Sequence, residues 1–137
     1  LQLSTPAAHT LKRWHTMLAT ADLKALPELL APEAVFRSPM AHTPYPGAPV
    51  VSMILNTVFT VFEDFQYHRE LASADGHSVV LELSARVGDL KGIDLIGLNE
   101  QGQIIEFEVM VRPLSGLQAL GEEMGRRLAP FLAKAKG

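Results

Sequence analysis

The sequence predicts an α+β domain in which helices gathered toward the N-terminus, and one more at the C-terminus, pack on a mostly antiparallel sheet. Three observations predict it. Apolar residues recur at helical spacing through the first third of the chain and again near its end. From Phe65 to Arg112 the period changes to two, the repeat of strands. Short polar turns at Asp75-Gly76, Gly88-Asp89 and Asn99 to Gly102 divide that stretch, as hairpins require. Helices accompanying such a sheet must cover one of its faces, which gives a layered arrangement.

Ser4, Thr5 and Pro6 supply cap and first-turn chemistry, and Leu11, Trp14, His15 and Leu18 continue a first helix to about Thr20. Asp22 is placed to cap a short second helix with Leu26, Leu29 and Leu30 on its buried side, distorted at its start by Pro27 and ended at Ala31-Pro32. Ala34, Phe36 and Ser38 then alternate with Val35 and Arg37 in a strand that stops at Pro39, before a proline-rich loop from Pro39 to Pro49. Val50, Val51, Ile54, Leu55, Val58 and Phe62 form the stripe of a largely buried third helix.

In the first long strand Phe65, Tyr67, Arg69 and Leu71 share one face, and in the next Leu81, Leu83, Ala85 and Val87 do. The strand from Lys91 to Asn99 is apolar on both faces and therefore central, with Asp94 standing among Gly92, Ile96 and Leu98. Ile105, Phe107, Val109 and Val111 then alternate with Glu106, Glu108, Met110 and Arg112. A last helix runs from a Ser115 cap through Leu117, Leu120, Met124 and Leu128, with an interruption expected near Pro130. Gly121 and Gly125 weaken that helix but let a neighbour approach closely.

At 137 residues the chain fits one domain, 1–137, with no linker or repeat to divide it. A domain this size buries about two thirds of its unfolded surface, so packing alone supplies a core. There is no cysteine, which removes disulfides and thiolate metal sites. A net charge of -3 without a run of Lys or Arg argues against a nucleic-acid partner. No apolar stretch reaches the roughly 18 residues of a membrane span, and Leu1 to Pro6 lacks the features of a signal peptide, so no membrane partner and a cytoplasmic location are expected. The start at Leu1 rather than Met leaves open whether residues precede it.

A strongly curved sheet under helices makes a cone with a cavity at its open end. The run from Trp14 through Leu26, Leu30, Pro32, Glu33, Ala34, Phe36, Ser38 and Pro39 to Gly47, followed by Gly92, Ile93, Asp94 and the stretch from Gly102 to Arg112, resembles the NTF2-like (cystatin-like) superfamily of ketosteroid isomerases and SnoaL-like polyketide cyclases. The resemblance spans nearly the whole chain. It implies a cone-shaped barrel of three N-terminal helices on a strongly curved sheet with a C-terminal helix, a deep apolar pocket, and commonly a homodimer through the outer sheet face. It does not imply one reaction. In ketosteroid isomerases an aspartate base ends the first strand, and a tyrosine on the first helix joins a protonated aspartate on a later strand to make the oxyanion hole. Ser38 here stands at the base position and Trp14 at the tyrosine position, and Asp94 alone is retained. A serine without an activating partner is a poor proton acceptor, so that mechanism does not transfer intact.

Asp94 is the candidate catalytic residue in its own right, because a carboxyl among apolar residues is desolvated and holds its proton toward neutral pH. Trp14 is placed to donate its indole N–H to a ligand or to Asp94. Met40, His42 and Tyr45 lie in the proline-rich loop that the resemblance puts at the pocket mouth. Phe107 and Val109 line the pocket on this reading, and Ser38 joins them. The opposite residues Glu106, Glu108 and Arg112 face solvent or a second subunit, with cross-strand pairing to Arg86 or Arg69 expected. His15 beside Trp14 is a weaker general-base candidate. His9, His68 and His77 have no metal-ligand spacing, and neither metal nor cofactor is expected. The function expected is binding of a small apolar ligand, with isomerase, lyase or cyclase chemistry at Asp94. The alternative is a non-catalytic dimerisation or accessory domain.

Overall fold

A computed structural model describes residues 2–136, and the side chains of 2–130, so that Leu1 and Gly137 of the expected 1–137 domain lie outside the described residues. The order is α1 (Thr5–Ala19), a 3₁₀ helix (Leu26–Leu29), β1 (Leu30–Arg37), β2 (Tyr45–Pro46), α2 (Ala48–Val61), β3 (Glu63–Ala72), β4 (Ser78–Arg86), β5 (Leu90–Leu98), β6 (Ile104–Arg112) and α3 (Leu114–Lys136). The six strands form one sheet in the order β2-β1-β6-β5-β4-β3, antiparallel throughout except for the parallel β1–β6 pair. This is the expected α+β architecture, with a cone-like sheet under a helical layer. None of the described helices is long and apolar enough to cross a membrane.

Ser4 caps α1 as read from sequence, its side chain accepting from the Ala7 N–H at 3.3 Å. The second helix is a correction. Leu26–Leu29 makes only a single 3₁₀ turn, and Asp22 closes a local turn by accepting from Lys24 N–H instead of capping a helix. Pro27 lacks the donor that a longer helix would use. The chain is already extended at Leu30, and β1 runs through Ala31 and Pro32 rather than starting at Ala34. Pro32 and Glu33 fall where the β1–β6 register shifts, a place where a strand tolerates the missing N–H. Two residues of the proline-rich loop, Tyr45 and Pro46, pair with β1 as the short strand β2. At the other end α3 passes Pro130 without the expected interruption.

Alternation along β4 matches the sequence reading, with Val79, Leu81, Leu83 and Ala85 buried. On β3 a register shift between Tyr67 and Glu70 reverses the alternation, which turns Leu71 outward, 55% exposed, instead of keeping it on the face of Tyr67. A second shift between Gly97 and Leu98 buries Ile104 where Ile105 was expected. Trp14 and Met17 of α1 and Val51, Ile54 and Leu55 of α2 pack down onto Leu81, Ile96, Phe107 and Phe36. Each such side chain contributes about 1.5–3 kcal/mol on burial.

Two glycines hold close approaches. At Gly92 a β-carbon would come 2.2 Å from the Met110 carbonyl, so β5 and β6 lie too close there for a side chain. Gly102 has φ +80°, and a β-carbon there would meet the Pro6 carbonyl at 2.5 Å. The Gly102 carbonyl also accepts from the buried Thr10 hydroxyl at 2.5 Å. The β5–β6 turn is thereby fixed to α1, which orients Trp14 over the sheet.

The outer face carries ion pairs, with partners other than those expected. Glu106 receives Arg37 from β1, Glu82 receives Arg69 and Lys91, and Arg86 reaches Glu63 and Asp64. The strand order explains this: β6 lies between β1 and β5, so Arg69 on β3 and Arg86 on β4 are not its neighbours.

Candidate functional site

Asp94 sits mid-strand on β5, directly opposite Leu81 on β4 and Val109 on β6, and is 4% exposed. It is the one charged side chain in the buried core of the described residues. Its Oδ2 accepts from the Tyr67 hydroxyl at 2.5 Å, and the Tyr67 oxygen in turn accepts from the Trp14 indole N–H at 3.1 Å. Because the indole N–H can only donate, it occupies a lone pair of the phenol oxygen, and the phenol proton is left to point at Asp94. No side-chain hydrogen bond to Oδ1 occurs among the described residues.

Burial raises the Asp94 pKa to about 7, an effect the Tyr67 hydrogen bond partly offsets. Burial and the neighbouring Asp94 charge push the Tyr67 phenol well above its ordinary value, so it remains a donor at any physiological pH. Asp94 thus has the property that general acid–base work demands, a pKa near the working pH.

Aromatic rings build the wall around this chain. Trp14 meets Phe59 and Phe107 edge-on, with ring centroids 5.6 and 5.4 Å apart, and Phe65 meets Tyr67 at 4.8 Å. On the outer side His15 pairs with Glu70 and sets its ring edge-on to Tyr67. The bulge in β3 brings Glu70 to that position.

Val109, the cross-strand partner of Asp94, lines a cavity of about 180 Å³. The β1 end contributes Phe36, Ser38, Pro39 and Met40, and β2 contributes Tyr45. Ile54 and Val58 of α2 and Val109 of β6 form its floor and side, and α3 closes it with Leu120, Gly121, Met124, Gly125 and Leu128. Its polar side chains are the hydroxyls of Ser38 and Tyr45, and no carboxylate lines it. Ser38 Oγ accepts from the Met40 backbone N–H at 3.0 Å, which orders the corner.

Four of the residues singled out in the sequence therefore line the cavity: Ser38, Met40, Tyr45 and Val109. Asp94, Trp14 and Phe107 lie behind that wall in the core, Asp94 being the cross-strand partner of Val109. His42 lines an adjoining open groove with Arg37 and Glu108, which shares Ser38, Pro39 and Val109 with the cavity. Trp14 reaches Asp94 through Tyr67 and not directly. Sequence reasoning puts Tyr67 on one face with Phe65, Arg69 and Leu71 but assigns it no role. The available signal is that it carries a hydroxyl directly after Phe65 in the period of two that opens this strand. No group of three or more metal-ligating side chains occurs among the described residues.

Residues 11–111 match the family model for a SnoaL-like domain. The chain belongs to the SnoaL-like family. A steroid delta-isomerase from Pseudomonas aeruginosa is 71% identical to this SnoaL-like domain, with a TM-score of 0.93 over 97% of this chain and 98% of the other. A cystatin-like-fold protein conserved in bacteria, from Silicibacter pomeroyi, is 34% identical, with a TM-score of 0.83 over 93% and 92%. An NTF2-like protein from Mesorhizobium loti, 17% identical, shares the fold with a TM-score of 0.69 over 82% of this chain and all of its own, 100%. No curated protein matches the chain. The SnoaL-like domain keeps the NTF2-like frame, and within it the polar groups of the inner face converge on Asp94.

Proposed function

We propose that this SnoaL-like domain binds a small, largely apolar carbonyl compound in its cavity and moves a proton on it, an isomerase-type reaction with Asp94 as the acid or polar anchor. The observation that supports it most is the Trp14–Tyr67–Asp94 chain, which ends on a buried carboxyl beside Val109 in the cavity wall. The 71% identity to a steroid delta-isomerase favours migration of a double bond next to a carbonyl over lyase or cyclase chemistry.

Ser38 at the cavity corner cannot act as the base, because a hydroxyl with no general base beside it does not ionise near neutrality. One carboxyl is sufficient if it works in both directions. Once the Val109 side chain that separates them turns aside, Asp94 as the anion takes a proton from the carbon between the carbonyl and the double bond, leaving a dienolate. As the acid, it returns that proton to the far end of the dienolate, and the conjugated ketone forms with no net gain or loss of protons. Near pH 7 both forms of Asp94 are present. Tyr67 steadies the anion and keeps the carboxyl turned inward.

A panel of β,γ-unsaturated cyclic ketones tests this through the absorbance of the conjugated product. Turnover is expected for the wild-type chain. Asp94→Asn is expected to lose about 10²-fold or more, the usual contribution of a positioned acid or base. Equal turnover by Asp94→Asn would remove Asp94 from the reaction.

A further inference from the structure

The shape of the cavity limits what can enter it, and the limit is set at one point. Met40 follows β1 and is 53% exposed, yet its thioether does not trail into solvent. It lies across the cavity mouth against Gly121 on α3. A β-carbon built at Gly121 would stand 2.5 Å from Met40 Cε and 2.8 Å from Sδ, so the side chain occupies the space that the glycine leaves empty. One turn along the helix, Gly125 also borders the cavity, and a β-carbon there would meet nothing within 4 Å. The two glycines therefore play different parts: Gly121 is a seat filled by Met40, and Gly125 is open space.

With Met40 seated, the cavity, which is partly open to solvent, has a volume of about 180 Å³. A dry apolar cavity of about 150 Å³ holds benzene, and pockets for drug-sized ligands begin at about 300 Å³. The cavity thus holds about one ring, and a molecule of four fused rings has to extend out through its open side. Met40 is the most exposed large side chain of the lining, unbranched and with three rotatable bonds, so it withdraws at little cost. Val109, Ile54 and Leu120 are held in the core.

We propose that the ligand of this cavity is a one-ring or short branched apolar molecule with a single carbonyl or hydroxyl group, and that Met40, seated on Gly121, is the residue that sets this size limit. The proposal rests on the reading of the cavity as the ligand site and adds its size class. The polar group of such a ligand has the hydroxyls of Ser38 and Tyr45 as partners in the cavity, with Asp94 on the far side of Val109.

Two ketones of similar polarity and different size test it: isophorone, with one ring, and androstenedione, with four. Their dissociation constants are measured by calorimetry for the wild-type chain, Met40→Ala and Gly121→Ala, the last displacing Met40 from its seat without shortening it. The wild-type chain is expected to bind isophorone at least 10-fold more tightly than androstenedione. Both variants are expected to shrink that preference 10-fold or more, chiefly by tighter binding of androstenedione. Androstenedione binding to the wild-type chain as tightly as isophorone would overturn the size limit and leave the cavity reading standing. An unchanged preference in Met40→Ala would overturn the role of Met40. Failure of both ketones to bind any of the three proteins would overturn the cavity reading itself, and the size class with it.

Discussion

Asp94→Asn is expected to flatten the pH dependence of stability between about pH 4 and pH 7, and to leave the variant less penalised than the wild-type chain at pH 8. In the folded state burial holds the Asp94 pKa up at about 7, against 3.8 for an ordinary aspartate. Between those values the folded chain keeps a proton that the unfolded chain has released. Stability from this group is therefore complete below about pH 4, falls as the pH rises, and is fully lost above about pH 7. The gap corresponds to about 4 kcal/mol. Asparagine has no such ionisation, so the difference in unfolding free energy between variant and wild type should grow by about that amount from pH 4 to pH 8. Any fixed cost of burying the amide adds a constant and leaves the slope untouched. Urea unfolding of both proteins across this range gives the comparison. Parallel pH profiles would mean that Asp94 ionises normally in the folded chain. Glu82, whose pKa is lowered to about 2 by Arg69, titrates below this window and is common to both proteins.

Trp14→Ala is expected to cost about 3–5 kcal/mol, the range for removing a large buried aromatic side chain. Trp14 is fully buried, 0% exposed, and its ring is wedged between Phe59 and Phe107. A domain of ordinary stability has about 5–15 kcal/mol in total, so this one change removes a large share of it. The loss has two sources: a cavity under α1, and a Tyr67 oxygen without its donor. Trp14→Phe separates them. It keeps a six-membered ring between Phe59 and Phe107 and removes the pyrrole portion with its N–H, so a smaller cost of about 1–3 kcal/mol is expected, together with a looser Tyr67–Asp94 bond. A loss in Trp14→Phe as large as in Trp14→Ala would show that the hydrogen bond, not the packing, dominates.

Much of this was legible in the chain because periodicity reports burial directly. The alternation of β4 and the placement of Asp94 among Ile96 and Leu98 follow from the period of two, and the structure repeats them. Errors arose where backbone geometry departs from the simple repeat. The bulge after Tyr67 turns Leu71 outward and brings Glu70 to His15, and a shift of one residue moves the inner position from Ile105 to Ile104. Neither leaves a mark in composition, since bulges are set by what the neighbouring strands require. The 3₁₀ turn at Leu26–Leu29 shows tertiary context prevailing over local helical spacing.

The candidate site was legible residue by residue but not as a connected set. Resemblance and pattern put Asp94 and Trp14 on facing elements, and only the fold shows Tyr67 bridging them, 27 positions from Asp94 and 53 from Trp14. Strand order, which decides such bridges, is a global property. It also decides which arginine meets Glu106, and it places Val109 between Asp94 and the cavity.

The account stands on one coupling, between occupation of the cavity and the proton on Asp94. The titration of the Asp94 carboxyl carbon, followed by NMR with and without isophorone, measures it directly. A midpoint near 7 in the free chain is expected. It should move upward when the ketone fills the cavity, because an apolar ligand beyond Val109 excludes water and deepens the burial that raises it. An ordinary midpoint near 4, or a midpoint unmoved by a ketone shown to occupy the cavity, would contradict the account.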